Sequence, residues 1–321
     1  MTLQSKVSSW FESVKELPVP KFITGLRGTG KTRFLLGFRD RLLAEGVPAG
    51  NLLFIDAEAP EMRAFATHEQ MIEHVLSSLP SDGKSCVFIR EAAALPDAEI
   101  VVGTLAASAR RMVYATSSSR RLLGQGLARY FSTRLAHFKV LPTDAASPYE
   151  PAAAIARWNE IFLNDVLAPN RILEVSLSCR IAGWLSDNLG DPLSLRTISA
   201  AISPANRMLS PHTIDAYLSA LEDANLVEKA MRWDTAEEAP QKTNYKYFFT
   251  DPWLRLARFG PAPAHEGWRM ALNRAWLKLR HDNAEVFTAS GTPGVHFVTH
   301  GGRSGFVRWR VADDGALERV D

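Results

Sequence analysis

The chain has 321 residues, 46% of them hydrophobic and 22% charged, with a formal net charge of +2 and two cysteines. Such a chain can bury a core without disulfide or metal staples, and collagen, a coiled-coil rod, a largely disordered chain and a membrane span of ~18 uninterrupted apolar residues are all excluded. The opening MTLQSKVSSWFESVKELP lacks the apolar core of an export signal, and Cys86 and Cys179 have no metal-ligand spacing, so a reducing cytoplasm is the expected setting.

To about residue 145, short apolar runs alternate with amphipathic stretches. KFIT (21–24) reads as a strand ending in a Gly-rich turn. The helix after it places Leu35, Phe38 and Leu42 on one face and stops near Gly46. NLLFID (51–56) is a second strand, and Met71, Ile72 and Val75 mark a helix over 66–79. SCVFI (85–89), RMVYATSSS (111–119) and AHFKVL (136–141) complete the strands, with a helix or loop over 97–110. Strand alternating with helix predicts an α/β domain with a mainly parallel sheet covered on both faces.

The sharpest chemical signal lies where the first strand ends. Gly25-Leu26-Arg27-Gly28-Thr29-Gly30-Lys31-Thr32 fits G-x-x-x-x-G-K-[ST], the P-loop, between a predicted strand and a predicted helix. Glycines let successive N–H groups converge on phosphate oxygens, and the helix starting near Lys31 adds its positive end. Lys31 is expected on the β- and γ-phosphates and the Thr32 hydroxyl on Mg²⁺, so the expected cofactors are ATP and Mg²⁺. An ordinary glycine turn is the plainer reading, and the strand–loop–helix context argues against it.

Hydrolysis needs a carboxylate on the metal and another group to orient water. In ATPases of the AAA type a core strand ends in Asp-Glu; here it ends Val87-Phe88-Ile89-Arg90-Glu91. Glu91 occupies the water-activating position, and Arg90 stands where the metal-binding Asp belongs. Asp56 is a rival source of the metal carboxylate if its strand lies beside the P-loop strand; otherwise it is a strand-end residue. Thr116 and Ser117 end a strand where a polar group can sense the γ-phosphate. Arg120, Arg121 and Arg134 are arginine-finger candidates, each with a plainer reading as a surface arginine.

After residue 150 the pattern becomes helical. IARWNEIFLNDVLA and 172–188 read as helices, Gly190-Asp191-Pro192 breaks the pattern, and Leu193–Ile202 is a short helix. Ser210-Pro211 supplies an N-cap and a first-turn proline to a helix with Ile214, Tyr217, Leu218 and Leu221 on one face. LVEKAMRW (226–233) and NYKYFFTD (244–251) alternate like a hairpin, so the sequence predicts a winged helix-turn-helix. Its second helix exposes His212, Asp215, Glu222 and Asp223 and no Lys or Arg, which disfavours DNA reading by that helix. A protein-contact or nucleotide-lid role is preferred. Residues 241–310 hold eleven Lys/Arg against four acids, a segment able to meet a nucleic acid or an acidic partner, or else a solvated face neutralised by the rest of the chain.

FITGLRGTGKTRFLL, FIDAEAPEMR, VFIREAAALPD, YATSSSRRLL and YKYFFTDPWLRL together resemble prokaryotic AAA-like P-loop ATP-binding proteins that carry a winged helix and a nuclease-like C-terminal module. The resemblance implies a parallel sheet of the AAA/ASCE type over 1–145, a helical linker and α+β winged helix over 146–260, and a small α/β module over 261–321. Such modules need acidic metal ligands followed by a lysine. Gly294-Val295-His296-Phe297 and Arg308-Trp309-Arg310 stand in their places, so nuclease activity is not expected. His296 and His300 share no helix face, and the tryptophans at 253, 268, 276 and 309 are expected to pack this module.

Two functions fit. One is an ATP-dependent switch with weak or absent hydrolysis, in which the core closes on the winged helix. The other is a non-hydrolysing nucleotide-binding scaffold whose basic C-terminal face holds nucleic acid or an acidic protein. Assembly into an oligomer is compatible with both.

Overall fold

The alternating pattern of the first half becomes a five-stranded parallel sheet in a computed structural model of the protein, which describes residues 3–123, 136–140, 150–204, 208–282, 285–300 and 305–320. This sheet belongs to the first of two units, Met1–Val140 and Leu141–Asp321. Its strands are β1 (Lys21–Gly25), β2 (Leu52–Asp56), β3 (Ser85–Arg90), β4 (Arg111–Ser117) and β5 (Ala136–Val140), in the order β2-β3-β4-β1-β5. Among the described residues, four α-helices flank them: α1 (Leu3–Val14), α2 (Lys31–Ala44), α3 (His68–Ser77) and α4 (Ala98–Ala106).

Period-two alternation sends neighbouring side chains to opposite faces of the sheet. Phe22, Val87, Ile89, Val113 and Ala115 pack with Met71 and Val75 of α3 and Val101, Val102 and Leu105 of α4. Ile23, Cys86, Phe88 and Tyr114 pack on the other side with Val7 and Phe11 of α1 and Phe34, Leu35, Phe38 and Leu42 of α2. Because both faces are covered, apolar residues run consecutively through the strand centres, as in Phe22-Ile23 and Val87-Phe88-Ile89. Phe88 stacks on Tyr114 at 5.0 Å and 10°, and Phe11 on Phe38 at 4.1 Å and 18°. A capping box of Thr67 and Gln70 starts α3.

The second unit carries α5 (Pro151–Ile161), which continues through a π-helical turn Phe162–Leu167, then α6 (Val175–Asp187), α7 (Leu195–Ile202) and α8 (Pro211–Asp223). Ser194 and Ser210 each accept a backbone N–H three residues on, capping α7 and α8. A hairpin follows, β6 (Val227–Asp234) and β7 (Ala239–Phe249), then α9 (Pro252–Phe259) and α10 (Glu266–Asp282). Four more strands, β8 (Val286–Ser290), β9 (Phe297–His300), β10 (Phe306–Val311) and β11 (Leu317–Val320), extend the hairpin into one sheet, β11-β10-β9-β8-β6-β7.

The expected boundary after residue 260 falls inside this sheet, where β8 pairs in parallel with β6. The core crosses it as well. Trp276 stacks on Phe248 at 4.9 Å, and the Asn273 side chain bonds both the N–H and the C=O of Phe249 at 2.8 Å. Of the tryptophans assigned to packing, Trp276 is buried and Trp309 donates to Thr299. Trp268 is 37% exposed and meets the His296 ring edge-on. No helix among the described residues is long and apolar enough to cross a membrane.

Candidate functional site

The sheet order places the ends of β1, β3 and β4 side by side at one edge, with the P-loop leaving β1. Gly25 is required there by space: a Cβ would lie 2.2 Å from the Val140 carbonyl oxygen of β5. Gly28 and Gly30 adopt φ of 80° and 86°, in the region L side chains avoid. Gly30 is the N-cap of α2, whose first residue is Lys31, so the helix's positive end opens onto the loop.

Lys31 is 3% exposed and its ammonium is fully engaged. Nζ donates to the Gly25 and Leu26 carbonyls at 3.0 and 3.1 Å and to Ser118 Oγ at 2.9 Å, with Glu91 Oε1 at 3.4 Å. Glu91 follows β3 with φ of 50°, which turns its side chain back toward β4. Its carboxylate accepts the Ser118 N–H at 2.6 Å and Oγ–H at 2.9 Å, and its own N–H donates to Thr116 Oγ1 at 3.1 Å. Lys31, Glu91, Thr116 and Ser118 therefore form one buried network between the P-loop and the ends of β3 and β4.

A second network lies at the edge of the loop. Asp56 and Arg90 are cross-strand partners, and the guanidinium donates to Asp56 Oδ1 at 2.5 Å. Arg90 Nη2 is 3.0 Å from Glu58 Oε2, and Glu58 also takes a two-pronged bond from Arg27 of the P-loop at 2.6 and 3.0 Å. Arg27 foremost, opposed by burial and aided by the Arg90 charge, holds the Glu58 carboxyl below its ordinary value. Burial opposes the charge on Arg90, but the Asp56 hydrogen bond and the charges of Asp56, Glu58 and Glu91 outweigh it, so Arg90 is held above its ordinary value.

Asp56 is a candidate metal carboxylate on condition that its strand lies beside the P-loop strand. Strands β3 and β4 separate β2 from β1, so Asp56 does not sit on the strand beside the P-loop strand, and Arg90 engages its carboxylate. Arg134 lies outside the described residues, and Arg121 opens a short 3-10 turn after β4. Sequence reasoning missed Ser118 and Glu58. The only signals for them were a Ser run at a strand end and an acid two residues past Asp56.

Five of the eleven Lys and Arg of the basic segment form ion pairs among the described residues of their own unit. Arg255 pairs with Glu266, Arg269 with Asp191, Arg280 with Glu228, Arg308 with Glu238 and Arg310 with Glu318. His296 Nδ1 accepts the Val311 N–H at 2.9 Å, and no group of three or more His, Cys, Asp and Glu among the described residues is placed to hold a metal.

Residues 18–147 match the family model described as an AAA domain. Over this segment the chain is similar to AAA domains. Over 292 residues the chain is 25% identical to an uncharacterized protein of Haemophilus influenzae, covering 80% of this chain and 73% of that one. Among solved structures, a Walker-type ATPase of Pyrococcus abyssi aligns over 80% of this chain and 96% of its own, at 14% identity and a TM-score of 0.48. A Drosophila ORC structure with Cdc6 and AT-rich DNA aligns over 79% of this chain and 91% of its own, at 14% identity and a TM-score of 0.32.

Proposed function

We propose that the AAA-like domain binds ATP and that the protein works as an ATP-dependent switch with weak or absent hydrolysis. The supporting observation is the pairing of an intact phosphate loop, with Gly28 and Gly30 left-handed and Lys31 at a helix start, with a core strand ending in the ion-paired Arg90. In this reading the backbone of Gly25, Leu26, Arg27, Gly28, Thr29, Gly30, Lys31 and Thr32 frames the phosphates. Lys31 leaves Ser118 and Glu91 to meet them. Thr116, bonded to the Glu91 N–H, relays phosphate occupancy to the ends of β3 and β4.

Glu91 is the group assigned to orient water. Its two bonds to Ser118 and its approach to Lys31 hold it away from that task until phosphate takes Lys31 over. Arg134 remains the finger candidate, and α7, α8 and the β6–β7 hairpin the proposed winged-helix contact surface for a protein partner. Phosphate release from ATP tests the reading: turnover in the wild type far below one per second, and none in Lys31→Ala, is expected. Rapid wild-type turnover would overturn the switch assignment.

A further inference from the structure

A divalent ion on a P-loop nucleotide takes phosphate oxygens, water and the Thr32 hydroxyl at close to 2.1 Å in near-octahedral array, and is anchored to the protein by one or two carboxylates. The described acids nearest the loop do not fit that requirement. Asp56 is held by Arg90 at 2.5 Å. Glu58 bridges Arg90 and Arg27. Glu91 accepts two bonds from Ser118 and lies 3.4 Å from the Lys31 ammonium. Each carboxylate already has a cation beside it, and the six side chains Arg27, Lys31, Arg90, Asp56, Glu58 and Glu91 sum to zero charge. The order of the sheet sharpens the point: Arg90 ends the strand that carries the metal carboxylate in an AAA-type site, and a guanidinium in place of a carboxylate moves the local charge by two units. That is the charge the ion would bring.

We infer that this site takes its nucleotide without a divalent cation, Arg90 supplying the local positive charge in the metal's place. The inference rests on the nucleotide reading above. Arg90 suits the task because it keeps its charge at any working pH and is braced by Asp56 and Glu58 rather than free to swing. Through Glu58 it is tied to Arg27, so the same ion-pair chain that displaces the metal also fixes a residue of the phosphate loop. An ion entering here would have to break the Asp56–Arg90 pair and would stand beside a guanidinium then held by Glu58 alone.

Calorimetric titration of the full chain with ATP, once in excess Mg²⁺ and once in EDTA, tests this. The expected result is an affinity in EDTA equal to that in Mg²⁺ within about threefold, or tighter. Arg90→Gln, checked for folding by thermal melting, is expected to bind at least tenfold more weakly in EDTA and to recover in Mg²⁺. Wild-type binding that weakens tenfold or more in EDTA overturns the inference and leaves the nucleotide reading standing. Arg90→Gln matching the wild type in both media overturns the role of Arg90. Absence of ATP binding in both media overturns the nucleotide reading and this inference with it. If Arg90→Gln does not fold, the two wild-type titrations still decide metal dependence.

Discussion

Replacing Glu91 by Gln keeps the side chain's shape and removes one charge from the buried network, so its effect follows from the contacts. The Lys31 ammonium lies 3.4 Å from Glu91 Oε1; at an effective dielectric constant of ~20 that attraction is about 5 kcal/mol before desolvation is subtracted. Removing one partner of a buried pair typically costs about 3–5 kcal/mol. Lys31 keeps its bonds to the Gly25 and Leu26 carbonyls and to Ser118, so a loss of about 2 kcal/mol is expected. For a unit of this size that corresponds to a fall in Tm of roughly 6–8 °C. ATP affinity should move the other way: with no carboxylate competing for Lys31, about 1 kcal/mol of that competition is relieved, tightening binding roughly fivefold. Differential scanning calorimetry with and without ATP reads both effects together, since a ligand stabilises the state it binds. An unchanged Tm, or weaker ATP binding in Glu91→Gln, would refute the competition between phosphate and Glu91 for Lys31.

Three other outcomes follow from particular contacts. Gly25→Ala drives a Cβ into the Val140 carbonyl at 2.2 Å with φ at 147°; a loss of about 3 kcal/mol or more is expected in a denaturant melt, and wild-type stability would show that β5 gives way freely. Lys21 is 1% exposed, and burial foremost lowers its pKa to about 8 while Nζ donates to the Leu17 carbonyl. Its unfolded form binds the proton more tightly, so between pH 8 and 10.5 stability gains from this residue as pH rises, by up to about 3 kcal/mol. Burial raises Cys86 to about 11, which acts oppositely over pH 9–11, so the gain is read as wild type minus Lys21→Met across pH 7–10; a flat difference contradicts it. Glu58, held low chiefly by Arg27, contributes stability above its unfolded pKa that is lost as pH falls through the lower folded value. Glu58→Gln should remove that acid-limb dependence in pH melts and loosen Arg27; an identical acid limb would show that the fork carries no weight.

The first unit was largely legible because its strands carry consecutive apolar residues and its glycines carry a steric message. KFIT, LLFID, SCVFI and RMVYATS became β1 to β4 close to their expected bounds. Helix α1 is marked in the sequence only by Val7, Phe11 and Val14, which recur on one face and are buried; three apolar residues among polar neighbours make a weak helical signal. The identity of Arg90 was legible, but its partners were not, since Asp56 reaches it through strand order and Glu58 through a turn, neither of which a linear pattern states. The same holds for Ser118, which meets Lys31 across 87 residues of chain. In the second unit, hairpin and helices were legible one by one. Their joining to β8 through a parallel pair was not, because parallel partners lie far apart in sequence.

A working nucleotide site at Gly25–Thr32 must show itself in ATP affinity, measured by calorimetry in wild type and in Lys31→Ala, each verified as folded by its melting transition. Saturable one-to-one binding in the wild type and its loss by a hundredfold or more in Lys31→Ala is the predicted result. Equal affinity in the two proteins, or heat without saturation in both, would contradict it.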